Sequence, residues 1–346
     1  MGMLSARRLA FMVFVLWGIT LVTFFLSHVV PGNPARLMAG PQASPSQVAH
    51  ISRLYGLTDP LFVQYGRYMR DLSQGNLGFS FVTRRDVRTD IATFLPATVE
   101  LAGYALVTGF VLAVVTGTVA AYRRGTGADA AGRLTAIAGL SLPVFWLALL
   151  LQLLFHTELG WLPLGGRLDP GVTPPPHITG LLTVDSLLTG NINTFVNAAE
   201  HLVLPVVVLA AGVYGLMVRI MRTSVLDSLG EEYVRTAEAK GLSRWRVLRR
   251  HVLRNAMLPA VTVLGLEFGL LAAGVFVVES VFQWPGLGNY AFQAIQANDY
   301  NATLGATFVI AVMYVVINLI VDIAYLYLDP RFRYAWSIRA PRSRVA

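Results

Sequence analysis

Few side chains in this chain are equipped for chemistry. Lys240 is the only lysine, and the other 26 of the 27 basic residues are arginine. A phosphate-cradling loop needs G-x-x-x-x-G-K-[ST], with the lysine reaching the phosphates. Lys240 lies between Ala239 and Gly241 and cannot serve. Cysteine is absent, which removes disulfides, thiolate metal sites and thiol nucleophiles together. The six histidines (28, 50, 156, 177, 201 and 251) are scattered, with no i,i+4 pair and no H-E-x-x-H. No catalytic residue and no metal ligand set is assigned. Two features remain. One is Glu267, a carboxylate inside an apolar run. The other is the polar segment Glu231-Glu232-Tyr233-Val234-Arg235-Thr236-Ala237-Glu238-Ala239-Lys240-Gly241-Leu242-Ser243.

The elements that must position these residues are apolar. Of 346 residues 55% are hydrophobic and 13% charged, with mean hydropathy +0.59. A soluble domain carries about 25% charged residues, and disorder needs low hydrophobicity, so both classes are disfavoured. Six apolar spans reach bilayer length: Leu9–Val30, Ala97–Tyr122, Leu134–His156, Leu202–Met221, Ala256–Phe282 and Leu304–Leu328. The expected fold is therefore an all-α polytopic membrane protein with six transmembrane helices. The first span follows Arg7 and Arg8, is longer than a signal-peptide core, and precedes no A-x-A-like site, so it reads as a retained anchor.

The net charge of +8 would suit nucleic acid in a soluble protein. Here its distribution sets orientation instead, and no nucleic-acid partner is expected. With the N-terminus inside, 19 basic residues fall on the inner side. The loop 157–201 holds only Arg167 and the loop 283–303 holds none. The first outer loop holds seven, but it exceeds about 60 residues, a length at which the rule lapses. This predicts N-in, C-in topology.

Within the polar segment, Ser228 is placed to cap a short helix and Glu231 and Glu232 suit its N-terminal dipole. Glu231 and Arg235 are spaced for an i,i+4 pair. Gly241 stands where the helix would end, and Ser243 opens a second helix over Arg244–Arg254. Tyr233, Ala237 and Gly241 share a face, an aromatic knob above two small residues that another protein can approach closely. The alternative is a solvated basic loop that only satisfies the charge rule.

At this segment the sequence resembles the binding-protein-dependent ABC importer permeases, most closely the B-type membrane subunit of the dipeptide/oligopeptide/nickel group. The family's E-A-A-x-x-x-G signature becomes Arg235-Thr236-Ala237-x-x-x-Gly241, with Arg235 replacing the Glu. In the later I-x-L-P, Leu253 matches and Arg254 replaces the Pro. The peptide-group form Y-V-R-T-A-x-A-K-G-L-S matches at every specified position from Tyr233 to Ser243. Further motifs follow in order: Pro31-Gly32-Asn33-Pro34, Tyr55-Gly56-Leu57-Thr58-Asp59-Pro60, Gln64-Tyr65, Gly75-Asn76-Leu77-Gly78-Phe79-Ser80, Ser141-Leu142-Pro143-Val144-Phe145 and Gly160-Trp161-Leu162-Pro163. The last are Glu279-Ser280-Val281-Phe282-Gln283-Trp284-Pro285-Gly286-Leu287-Gly288 and Asp329-Pro330-Arg331-Phe332-Arg333-Tyr334. Asn33 and Asn76 stand where the family has Asp.

The resemblance implies a type I ABC importer transmembrane fold. A cytoplasmic N-terminus (1–8) and a first helix (9–30) precede an external loop (31–96). A core at about 94–329 contains the coupling loop 223–255, and a cytoplasmic tail follows (330–346). It also implies a bacterial inner-membrane permease subunit for di- or oligopeptides, not an enzyme. Its partners would be a homologous second permease, two ATPase subunits that hold ATP and Mg, an extracytoplasmic substrate-binding protein and the lipid bilayer. The coupling helix would comprise Glu231, Glu232, Tyr233, Arg235, Thr236, Ala237, Ala239, Lys240, Gly241 and Leu242. A nickel or glutathione importer shares these motifs. An ion-coupled secondary transporter is the reading from another class, but it leaves Tyr233–Ser243 without a task.

Charges inside the spans complete the expectations. A carboxylate at mid-membrane costs roughly 2.5–3.5 kcal/mol, so Glu267 should face the interior or a wet path, as a counter-charge to substrate or as a structural partner. Asp322 is expected to pair structurally near Asn318, and Glu100 to lie at the interface. Arg219 and Arg222 are expected to snorkel. Pro143, Pro205 and Pro259 are read as kinks or helix starts. Trp284, Pro285, Gly286 and Gly288 form a turn that is a candidate external gate or binding-protein contact.

Overall fold

The computed structural model of the chain describes residues 2–29, 34–39, 42–54 and 56–328. The motif residues Pro31-Gly32-Asn33, Tyr55 and Asp329–Tyr334, the tail 330–346 and the side chain of Asp322 lie outside the described residues. The described residues are mostly helical. The helices are α1 (Gly2–Val29), α2 (Pro34–Ala39), α3 (Pro45–Leu54), α4 (Leu61–Ser73), α5 (Val87–Tyr122), α6 (Gly127–Ser141), α7 (Val144–Leu151) and α8 (Leu182–Leu188). They continue as α9 (Ile192–Gly230), α10 (Glu232–Ala239), α11 (Arg244–Val247), α12 (Leu253–Val281), α13 (Leu287–Gln296) and α14 (Tyr300–Leu328). Among the described residues, the strand element that departs from an all-α chain is a two-residue antiparallel ladder of β1 (Phe79–Ser80) and β2 (Arg85–Asp86), closed by a turn. Asp299 fixes that turn by accepting from Ser80 Oγ (2.7 Å), Phe81 N (2.8 Å) and Val82 N (3.1 Å).

Among the described residues, four helices are long and apolar enough to cross a membrane: the α1 stretch Ala10–Ser27, α5, α9 and the α14 stretch Tyr300–Ile320. The span expected at Leu134–His156 is a broken pair. α6 and the helix Val144–Glu158 meet at 106°. Pro143 sits at this corner as the N-cap of α7, because proline disfavours helical conformation in the residue before it. α7 then widens into a π-helical turn, Gln152–Glu158. α12 covers the fifth expected span as one 29-residue helix with Pro259 inside it. Pro205 likewise lies within α9, so neither proline starts a helix.

The chain divides into two compact units. The first comprises Met1–Glu100, Pro163–His201 and Val275–Val315. Its core joins Val87 and Ile91 of α5, Leu287, Tyr290, Ala291 and Ala294 of α13, and Ala302 and Ala306 of α14. α13 fills a loop that reads as turn alone in the sequence. Its apolar residues recur at three- and four-residue spacing, as burial of one helical face requires. Elsewhere in this unit, Thr20 of α1 bonds Tyr65 of α4 (3.1 Å), and Phe24 packs on Tyr65 and Tyr68.

The second unit comprises Leu101–Leu162, Leu202–Gly274 and Val316–Ala346. Its packing depends on small residues. Ala105, Gly109, Ala113 and Gly117 recur every fourth residue on α5. A Cβ at Gly109 would lie 2.9 Å from the Ala210 carbonyl oxygen, and one at Gly117 2.7 Å from Met221 Cβ. Such stripes let helix backbones approach where lipid is as apolar as leucine and burial alone gives no driving force. The opposite stripe, Val107, Val111, Val115 and Val119, is exposed, as a lipid-facing surface should be.

Candidate functional site

The polar segment is built by helix termination. α9 runs through Ser228 to Gly230, so Ser228 lies inside that helix and does not cap the next one. The N-cap of α10 is Glu231, in extended conformation and with no side-chain capping bond. Its side chain also makes no ion pair with Arg235. The expected pair is replaced by a backbone contact, Arg235 N to Glu231 O at 3.4 Å. At the far end, Gly241 N donates to Glu238 O (2.9 Å) and Leu242 N to Ala237 O (3.3 Å). With Lys240 as C-cap and Gly241 at φ +75°, this is a Schellman ending. Gly241 is thus required by backbone conformation, since a Cβ there would meet nothing within 4 Å.

α10 lies against α11 and the π-helical turn Leu248–Val252 that follows it. Val234 and Ala237 of α10 are buried, as are Val247 and Val252. Ala237 is only 5% exposed, so the expected Tyr233–Ala237–Gly241 face is split, with Ala237 anchoring the helix to its own chain. The surface presented outward consists of Glu231, Glu232, Tyr233, Arg235, Thr236, Glu238, Ala239, Lys240 and Gly241, with Leu242 half-buried at its end. Ser243 does begin α11, again without a side-chain cap, and the second helix passes through the π turn straight into α12.

Glu267, on α12, is 6% exposed, and no hydrogen bond or ion pair reaches its side chain from the described residues. The other buried charges are partnered. Glu100 is not interfacial. Its carboxylate accepts from Arg167 Nη2 (2.5 Å), Thr183 N (2.8 Å) and Thr183 Oγ1 (2.6 Å). The Arg167 guanidinium lies 5.6 Å from the Trp284 ring. Trp284 is 1% exposed and donates its indole N–H to Ala97 O (2.9 Å). The turn expected as an external contact is therefore mostly interior, with Pro285 exposed and Gly286 buried. Glu279, fully buried, holds it. Its carboxylate accepts from Thr98 Oγ1 (2.5 Å) and Asn289 N (2.8 Å), while Thr98 Oγ1 accepts from Leu287 N (2.7 Å). A Cβ at Gly286 would overlap that carboxylate, and one at Gly288 would lie 2.9 Å from Oε2.

In the second unit, Arg222 does not snorkel. Its Nε and Nη2 grip both oxygens of buried Asp129 at 2.7 and 2.9 Å. Asp129 also accepts from Gly125 N (3.1 Å), which closes the turn between α5 and α6. In the loop of the first unit, Asp185 accepts from Thr179 Oγ1 (2.6 Å) and from the N–H groups of Ile178, Thr179 and Gly180. Burial pushes its carboxyl up, but these donors outweigh it and hold it below the usual carboxylate range. Among the described residues, no three His, Asp or Glu side chains gather as a metal site would require. Sequence reasoning missed the Glu100–Arg167, Glu279–Thr98 and Asp129–Arg222 pairs. One signal existed: Arg167 is the lone basic residue of a 45-residue loop.

An apolar helical chain with a Schellman-ended polar helix is matched over most of its length by two family models. One is the binding-protein-dependent transport system inner membrane component, over residues 113–334. The other is the N-terminal part of such membrane components, over residues 1–102. The chain belongs to this family. It is therefore a multi-pass inner-membrane permease subunit of an ABC importer. Among its relatives are a probable D,D-dipeptide transport permease of Escherichia coli and a dipeptide transport permease of Alkalihalophilus pseudofirmus. The first is 43% identical over 92% of this chain and 94% of the relative, the second 40% identical over 95% and 99%. A glutathione transport permease of Salmonella paratyphi A is 36% identical over 95% of this chain and 98% of its own.

Proposed function

We propose that this permease forms half of the translocation path of an importer for di- or oligopeptides. The single observation that carries the substrate class is the 37–43% identity, over nearly the whole chain, to several permeases named for dipeptide transport. The glutathione relative favours a second reading, in which the cargo is a thiol tripeptide. A homologous second permease completes the path. Two ATPase subunits bind ATP and Mg, and an extracytoplasmic binding protein delivers substrate. Six spans with both termini inside put α10 in the cytoplasm.

α10 then acts as the coupling helix. Its outward surface mixes acid and base with one aromatic ring, which suits a groove on an ATPase, and its buried Val234 and Ala237 transmit force to α11 and α12. Burial of Ala237 relocates the test of docking to Ala239, an exposed small residue one turn from Arg235. Ala239→Trp should cut peptide uptake at least tenfold and release the ATPase subunits during purification, while substrate capture by the binding protein persists. Unchanged uptake by this variant refutes the docking role. Glu267, buried and without a partner among the described residues, offers the path a counter-charge for a peptide amino group. Glu267→Gln should lower uptake of free peptides more than of N-acetylated ones, measured by competition.

A further inference from the structure

The segment after α10 carries a different surface. Between Glu238 and Glu267 the chain holds no acidic residue, yet it holds six basic ones: Lys240, Arg244, Arg246, Arg249, Arg250 and Arg254. Arg246, Arg249, Arg250 and Arg254 are exposed, and their guanidinium groups pair with none of the described side chains. This contrasts with Arg222, Arg167 and Arg67, each held by a carboxylate. Helix geometry aligns three of the free set, Arg246, Arg250 and Arg254, with Arg249 adjacent to Arg250. Residues four apart share a face, and the wider turn at Leu248–Val252 keeps Arg254 in line with Arg250. Beside them Trp245 is 67% exposed, between two arginines. Arg250 stands only about 9 Å along the helix from Ala256, where the apolar run begins.

We propose that Trp245, Arg246, Arg249, Arg250 and Arg254 form a binding surface for anionic phospholipid at this end of α12. Guanidinium forks match phosphate oxygens, and clustered arginines beside a membrane helix concentrate acidic headgroups. An indole with a polar edge settles at the same depth. A protein partner with an acidic face is the competing occupant. The charge pattern separates the two. α10 alternates sign, as a protein interface does, whereas residues 244–254 are purely positive and run directly into the apolar helix.

The test uses the full chain in nanodiscs, with brominated phosphatidylglycerol or brominated phosphatidylcholine as quencher. The Trp245 signal is the difference between wild type and Trp245→Phe. The expected result is quenching by the anionic lipid at a severalfold lower mole fraction than by the zwitterionic one. That preference should be lost in R249Q/R250Q/R254Q, kept in R249K/R250K/R254K, and weakened in wild type by raised salt. Equal quenching by both lipids overturns the proposal, as does a preference that survives the glutamine variant. Trp245 that neither lipid quenches, but that added ATPase subunits shield, also overturns it and assigns the surface to protein.

Discussion

At the scale of single residues, the first unit is held by carboxylates taken out of water and given enough donors. Thr98 is pivotal because one hydroxyl donates to Glu279 and accepts from Leu287 N. Thr98→Val keeps the shape and removes both bonds, leaving a buried carboxylate short of a donor. The expected loss is about 1–3 kcal/mol, read as a lower thermal midpoint in detergent. Arg167→Met should cost more, about 3–5 kcal/mol, since it strands the Glu100 charge. Adding Glu100→Gln to that variant should recover part of the loss. A double variant no more stable than Arg167→Met alone would show that the pair acts independently of charge.

At the scale of elements, Asp185 organises the irregular stretch before α8. Its carboxyl is depressed in the folded state, so the stability it contributes is full above the ordinary aspartate range near pH 4. That contribution is lost as pH falls through the folded value. Limited proteolysis around residues 172–181 should therefore accelerate below about pH 4, and Asp185→Asn should be cut readily at neutral pH too. Elements of this kind divide what the sequence discloses from what it conceals. The apolar runs announce α1, α5, α9, α12 and α14, because periodicity and length are local properties. The end of α10 at Gly241 is legible for the same reason. The 106° corner is hidden, since Pro143 signals a kink or a helix start but no angle. So is the orientation of Ala237, because which side of a short polar helix packs inward depends on α11 and the π turn that follows it. Ion pairs spanning 67 or 93 residues, such as Arg167–Glu100 and Arg222–Asp129, depend on tertiary approach and leave no local trace.

At the scale of the whole molecule, the proposed function makes the chain a force-bearing part, with ATP chemistry placed on partner subunits. What the chain itself offers is apolar helices, small-residue packing and an exposed polar helix. Purified alone in vesicles with ATP inside or outside, it should accumulate no peptide. Co-reconstitution with its ATPases, companion permease and binding protein should restore uptake. Accumulation by the lone chain, measured with radiolabelled dipeptide, would contradict this assignment.

The scarcity of lysine has a practical corollary. Lys240 caps α10 and is exposed, and no other side chain in the 346 residues carries a primary amine. An amine-selective reagent would thus mark a single side chain of this sequence. A dye, spin label or photo-crosslinker attached there would report on the tip of α10 with no cysteine engineering, and its accessibility during turnover would time when that tip is covered.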